Sequence, residues 1–318
     1  MKKLILLIPI FISFSLLITA QQKTQAYLGL KSGGKWVWVT KESGKQQYEY
    51  QGGEFKPVES LKLDPKHTDH SFDIQFEGPG WESDKIGYRL YLDWRNATDI
   101  FGKKTTETVL HTVGLDGFDS YHEIQPWGVD VLKVGSALGI GSIAFWDGEK
   151  AIRVEKTDST FCTVKSGKKA SQVNANYSGW EIGGIKTNLN TTLEIETGSY
   201  LTKYALELSE ELPNIATGIV KLPNTELQLF TDIKPGWSCL VTFGKQTLQN
   251  DRLGMCIFFK TSQLLQKTED KYSHVVVLKP ENKKLTYYFG AAWEQDASMV
   301  KSMDDFKKLL KEQAKFVK

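Results

Sequence analysis

The stretch Tyr200-Leu201-Thr202-Lys203-Tyr204-Ala205-Leu206-Glu207-Leu208 puts Tyr200, Thr202, Tyr204, Leu206 and Leu208 on one side of an extended chain, with Lys203, Glu207 and then Ser209 on the other. Successive side chains of a strand point to opposite faces, so the pattern reads as a strand packed on a core along one face and wetted along the other. Similar short runs recur on both sides of it, at residues 151–155, 159–165, 179–185 and 191–197 before it and at 218–221, 237–243, 255–259, 273–278 and 284–289 after it. Turn residues separate these runs and no helical period intervenes. The expectation is an all-β protein, a large antiparallel sandwich or barrel rather than an α/β fold. Residues 129–146, with Gly135, Gly139 and Gly141, read as a strand pair bent at its glycines. Residues 27–50 read as aromatic and β-branched strands joined at Gly turns. Only the end looks helical, where Ser302 and Asp305 suit a cap and Phe306, Leu309, Leu310 and Phe316 follow at helical spacing. Without an internal repeat or a linker, residues 21–318 read as a single β domain.

The N-terminus predicts the compartment. Met1-Lys2-Lys3, an apolar run over residues 4–18 and then Thr19-Ala20 form a secretory signal peptide, residues 1–20. The run is shorter than the roughly 20 residues a membrane-spanning helix needs, and no Cys follows it to carry a lipid. A periplasmic or secreted protein is expected, with no membrane span. Cleavage removes Lys2 and Lys3 and no acid, so the formal charge falls from +2 to zero. Neutrality argues against a nucleic-acid partner, which calls for a basic excess. It leaves room for a small anionic ligand met by one or two arginines. Three cysteines, Cys162, Cys239 and Cys256, exclude a disulfide framework. Cys239 and Cys256 flank a hairpin, and either a pair or two buried thiols is compatible with that spacing.

Candidate chemistry gathers in two places. Residues 114–128, Gly-Leu-Asp-Gly-Phe-Asp-Ser-Tyr-His-Glu-Ile-Gln-Pro-Trp-Gly, set Asp116, Asp119, Tyr121, His122, Glu123 and Trp127 between glycines and a proline, which is the composition of a loop. Residues 88–95 alternate again, with Tyr88, Leu90, Leu92 and Trp94 as a core face and Arg89, Tyr91, Asp93 and Arg95 opposite. A third cluster, Asp64, His67, Asp69, His70 and Asp73, has spacing compatible with a metal site but specifies little, and reads as a solvated loop. No nucleotide-binding glycine motif and no Gly-x-Ser-x-Gly elbow is present. The sequence implies no cofactor and no catalytic metal; a structural Ca²⁺ in the loops stays open.

A uronic acid offers one reaction that this set suits. Its C5 proton becomes acidic when the carboxylate beside it is neutralised, which a bidentate arginine does well. An imidazole can then take the proton while a phenol protonates the oxygen leaving C4. From this chemistry Arg89 (or Arg95) is assigned to the carboxylate, His122 to the proton, and Tyr121 or Tyr91 to the leaving oxygen. Tyr91, Arg95, Trp81, Glu77, Asp116 and Trp127 are assigned to substrate binding. Trp81 and Trp127 could stack on a pyranose or lie in the core. Glu77, Glu82, Asp84, Asp93, Asp116 and Asp119 also leave paired-carboxylate glycoside hydrolysis open.

The stretch 77–84, Glu-Gly-Pro-Gly-Trp-Glu-Ser-Asp, with Arg89-Leu90-Tyr91-Leu92-Asp93-Trp94-Arg95-Asn96 and Asp116-Gly117-Phe118-Asp119-Ser120-Tyr121-His122-Glu123, resembles an exported family of polysaccharide-degrading bacteria long labelled a domain of unknown function. One branch of that family is the ulvan oligosaccharide dehydratase. The resemblance implies a galactose-mutarotase-like β-sandwich. It also implies elimination of water from a non-reducing-end uronic acid to give a 4,5-unsaturated uronate, alongside lyases, sulfatases and unsaturated-glucuronyl hydrolases. The alternatives are a polysaccharide lyase or glycoside hydrolase acting on acidic polysaccharides, or a non-catalytic carbohydrate-binding protein.

Overall fold

The computed structural model describes residues 22–118 and 120–318; the expected signal peptide and Asp119 lie outside the described residues. The alternating stretch is a strand, Leu201–Leu208, near the middle of a nine-stranded sheet. Its neighbours are Ile185–Glu196 on one side and Lys284–Trp293 on the other, both antiparallel. The order continues outward through Ala170–Ile182, Ser159–Lys165 and Ser60–Lys62 at one edge, and through Arg252–Lys260, Trp237–Lys245 and Thr225–Lys234 at the other.

Two five-stranded antiparallel sheets complete the sandwich. One contains Ala151–Arg153, Ala144–Trp146, Ile215–Val220, Ser273–Leu278 and Leu264–Glu269. The other contains Thr24–Tyr27, Gly80–Ser83, Ile86–Leu90, Thr98–Lys103 and Gly128–Asp130, and it carries the site described below. A common core of Trp81, Tyr88, Ile219, Val276, Tyr204 and Phe289 joins the three. Polar tips are satisfied across this interior: the Trp81 indole donates to Thr202 Oγ1 at 2.8 Å and the Tyr88 hydroxyl to the Tyr200 carbonyl at 2.7 Å. Buried aromatics of this kind keep their apolar area and still find a partner for the polar atom.

The expected large antiparallel β-sandwich with a C-terminal helix is therefore what the chain forms. The helix, Met303–Gln313, starts at Ser302, whose hydroxyl accepts from the Asp305 amide, and it buries Phe306 and Leu310. Residues 129–146 are not one hairpin: Gly128–Asp130 and Ala144–Trp146 belong to different sheets. All three cysteines are buried free thiols. Among the described residues no helix is long and apolar enough to cross a membrane.

Candidate functional site

Two segments converge on the end of the sheet that holds Ile86–Leu90, and the first is the chain from His70 to Asn96. Regular pairing stops at Leu90, because the Tyr91 amide turns to the Ala97 carbonyl at 2.9 Å and the Leu92 amide to the Glu77 carbonyl at 3.1 Å. Gly78 permits this crossing; a Cβ there would lie 1.8 Å from the Leu90 carbonyl oxygen. Around it the backbone is strained. His70, Phe72, Phe76 and Glu77 adopt φ of 58°, 60°, 41° and 68°. Non-glycine residues in the left-handed region cost about 1–3 kcal/mol each, and such strain clusters at functional sites. The second segment is the loop closed by Gly128, whose φ of 140° and close approach to the Gly102 carbonyl leave no room for a side chain.

These segments surround a buried polar floor. Arg89, 2% exposed, lies between two carboxylates and a phenol: Nη2 reaches Asp99 Oδ2 and Asp130 Oδ2 at 2.6 Å each, Nε reaches Asp99 Oδ2 at 3.0 Å, and Nη1 donates to Tyr121 Oη at 3.0 Å. Tyr91 donates its hydroxyl to Asp99 Oδ2 at 2.7 Å, and its ring lies 4.5 Å from the Arg89 guanidinium carbon and 3.7 Å from that of Arg95. Arg95 pairs with Asp93 and, at 2.8 Å, with Glu77. Burial and the Asp130 carboxylate push the Asp99 carboxyl up to about 6. Burial also raises the Tyr121 phenol. Two guanidiniums thus face four carboxylates, and His70 and His122 lie against Glu77 and Asp130 at the outer side.

Two imidazoles reach solvent above this floor. His122, its side chain 44% exposed, holds Nε2 3.5 Å from Asp130 Oδ2 and stacks obliquely on Tyr121 with ring centroids 4.7 Å apart. His70, 55% exposed, holds Nδ1 3.7 Å from both Asp69 Oδ2 and Glu77 Oε1, while its amide donates to Glu77 Oε1 at 2.8 Å. Each imidazole is held above its ordinary value, His122 chiefly by its bond to Asp130 and His70 chiefly by its bond to Asp69. Phe118 links them, 5.4 Å from the His70 ring and 6.3 Å from the Tyr121 ring.

The structure thus brings His122, Tyr121, Arg89, Tyr91, Arg95 and Glu77 together, and it corrects several roles. Arg89 cannot clamp a substrate carboxylate, since it is buried and already bound to two. Arg95 is likewise committed to Asp93 and Glu77. The Tyr91 hydroxyl points inward to Asp99 and has no path to a leaving group. Trp81 is fully buried in the interior and is no sugar platform. Trp127 is half-buried against Phe101, centroids 6.0 Å apart. Asp116 is exposed, accepts from Ser120 Oγ at 2.5 Å and lines a neighbouring cleft of about 460 Å³ with Phe72 and Phe118. Trp94 is exposed instead of core, with the Arg153 guanidinium 5.1 Å from its ring. The sequence reading missed Asp99 and Asp130, and it placed His70 in a solvated loop rather than at the site. In the third cluster His67 is buried with Nδ1 2.8 Å from Asp73 Oδ1, and among the described residues no group of acids, histidines and cysteines is arranged to hold a metal.

Residues 14–318 match the family described as Domain of unknown function (DUF4861), and the chain belongs to that family. Comparison with curated proteins returns no match. Among solved structures, a protein from the human microbiome described as a kojibiose phosphorylase aligns at 11% identity and a TM-score of 0.42 over 73% of this chain and 32% of its own, so this chain spans about a third of its length. A Klebsiella pneumoniae protein described as an aldose 1-epimerase aligns at 10% identity and a TM-score of 0.38 over 92% of this chain and 95% of its own.

Proposed function

We propose an exported enzyme, acting in the periplasm or outside the cell, that eliminates water from a uronic acid at the non-reducing end of an acidic oligosaccharide. The substrate class follows one branch, the ulvan oligosaccharide dehydratase, of the family that residues 77–84, 89–96 and 116–123 resemble. The observation that carries the chemistry is the pair of solvent-facing imidazoles, each tied to a carboxylate, above a floor whose arginines are already neutralised.

His122 takes the C5 proton. Its link to Asp130 orients the ring and stabilises the imidazolium that forms. His70, held charged more readily by Asp69 and Glu77, supplies the cation that the substrate carboxylate meets as negative charge spreads into it. This replaces the arginine clamp. In a glucuronate the C4 oxygen and the C5 hydrogen lie on one face of the ring, so His122 can return the same proton to the departing oxygen. The C5–H and C4–O bonds break, a C4–C5 double bond forms and water leaves. Tyr121, expected to protonate the leaving oxygen, is buried with its hydroxyl against Arg89 Nη1, so in this reading it acts with Arg89 as a positioning residue beneath the imidazole.

The test is incubation with saturated uronate-ended oligosaccharides, following absorbance of the conjugated double bond and mass. The expected product is one water lighter than the substrate with an unshortened chain. His122→Ala should lower kcat by about 10²–10⁴, the usual contribution of a positioned acid or base. A shortened unsaturated product would mean a lyase, addition of water a hydrolase, and return of intact sugar a binding protein.

A further inference from the structure

The hairpin Lys35–Thr40 and Gln46–Gln51 hydrogen-bonds as a separate two-stranded sheet. Its register sets Trp36 opposite Tyr50 and Trp38 opposite Tyr48, so four aromatic rings share one face. The pairs meet edge to face, with centroids 5.4 Å and 4.7 Å apart. The opposite face turns inward, where Gln47 is buried. Trp38 is 55% exposed and Tyr48 36%, so the aromatic face keeps its outer rings in water. A contiguous exposed aromatic patch of this kind marks a binding surface more often than a fold requirement.

Charge and position select the ligand. The exposed Lys66 carries its ammonium 5.8 Å from the Trp36 ring and 5.6 Å from the Tyr48 ring, and no ion pair of this amine with a carboxylate occurs among the described residues. The hairpin is also continuous with the catalytic rim. Gln47 Nε2 donates to the Asp69 and His70 carbonyls at 3.3 Å each, and Lys45 Nζ lies 2.9 Å from Asp69 Oδ1. Gln47 points to the inward face, opposite the rings, so these contacts tie the hairpin as a whole, through its second strand, to the backbone of His70.

We propose that this face is a subsite for the sugar units that follow the reacting uronate. The apolar face of one pyranose lies on the exposed Trp38 ring beside Tyr48, and an anionic substituent of the chain meets Lys66. Flat rings supply the stacking and the amine supplies selection for acidic over neutral chains. The assignment rests on the acidic-oligosaccharide reading above and extends it from the terminal residue to the chain.

The purified protein is titrated by calorimetry with a disaccharide and an octasaccharide, each bearing a terminal uronate, and with a neutral octasaccharide. The expected result is a preference of about tenfold for the acidic octasaccharide over the disaccharide, equivalent to about 1.4 kcal/mol. Trp38→Ala should abolish that length advantage and leave disaccharide binding unchanged. Lys66→Gln, which leaves the aromatic rings in place, should narrow the preference for acidic over neutral chains. Sugar binding that depends on Trp38 without formation of a double bond upholds the subsite and sinks the dehydratase reading. Equal octasaccharide binding by the parent, Trp38→Ala and Tyr48→Ala overturns the subsite. So does the absence of octasaccharide binding, or a Trp38-dependent dimer in sedimentation that binds no sugar.

Discussion

In the proposed elimination His122 would act as a base only in its neutral form, and Asp130 would decide how far into acid that form persists. The carboxylate favours the imidazolium and holds His122 above its ordinary value. Replacing it with an uncharged amide should let the imidazole fall back toward about 6.5, the usual histidine value. The neutral base then survives to lower pH, so in Asp130→Asn the acid limb of kcat/KM should move to lower pH, with a reduced plateau because the ring is less well oriented. A pH–rate profile reads this, and an unmoved limb would remove Asp130 from the mechanism. Arg89 behaves differently, because its guanidinium is the counter-charge of two buried carboxylates. Arg89→Met should cost about 3–5 kcal/mol in urea unfolding, the usual penalty for stranding a buried charge. A loss below about 1 kcal/mol would show that Asp99 and Asp130 find other partners. Residue identity made part of this visible. Tyr121, His122 and Arg89 stand out as polar groups in aromatic surroundings, whereas period two gives the face on which Arg89 lies and not what covers that face. Asp130 left a signal: an acid between Val129 and Val131 in a buried strand demands a cation. His70 stood out only within the Asp64–Asp73 cluster, since its place at the site depends on a left-handed backbone that its neighbours do not announce.

Single strands of the site-bearing sheet also hold the loops above it. Glu82, on the strand Gly80–Ser83, is buried; its Oε2 binds Lys103 Nζ at 2.5 Å and its Oε1 accepts from the Val109 and Leu110 amides at 2.7 and 2.8 Å. One carboxylate thus fixes the chain at the point where it leaves for the loop that contains Tyr121 and His122. Burial raises this carboxyl, and Lys103 opposes that rise. Lys103→Met should therefore lower stability by about 3–5 kcal/mol. It should also raise hydrogen exchange of the Val109 and Leu110 amides ahead of the rest of the sheet; uniform exchange would show that Glu82 holds the loop without its lysine. Element boundaries were legible at Ser159–Lys165 and in the continuous β-branched run Ser273–Leu278. They failed at glycines. Gly179 marks a bulge inside Ala170–Ile182 rather than a strand start, and the turn falls at Gly183-Gly184. Trp94 continued the period on paper, but the strand ends at Leu90 once Tyr91 turns to Ala97, and the indole goes to solvent.

Over the whole molecule, turn-separated alternating strands announced the sandwich, because each needs a second apolar layer to cover its inner face. They did not announce its division into three sheets, since pairing between distant strands leaves no local trace. The C-terminal helix was legible from its cap and spacing, and its place in the assembly separates stability from activity. Phe306 is buried against Gly254, where an added Cβ would meet its ring at 2.6 Å, and stands 6.3 Å from the Phe243 ring. Both partners belong to the nine-stranded sheet, on Arg252–Lys260 and Trp237–Lys245, whereas His122, Tyr121 and Arg89 attach to the five-stranded sheet of Ile86–Leu90. Removing the ring should cost about 3–5 kcal/mol through the cavity it leaves. For a chain of this size that corresponds to a fall in Tm of roughly 5–8 °C. The site contacts are untouched, so Phe306→Ala should keep kcat and KM of the parent at low temperature, where the folded state still dominates, and lose activity only as its lower Tm is approached. Calorimetric melting beside initial rates at several temperatures reads both quantities, and a variant slowed at low temperature with an unshifted Tm would show that the helix acts on the site through the sheets.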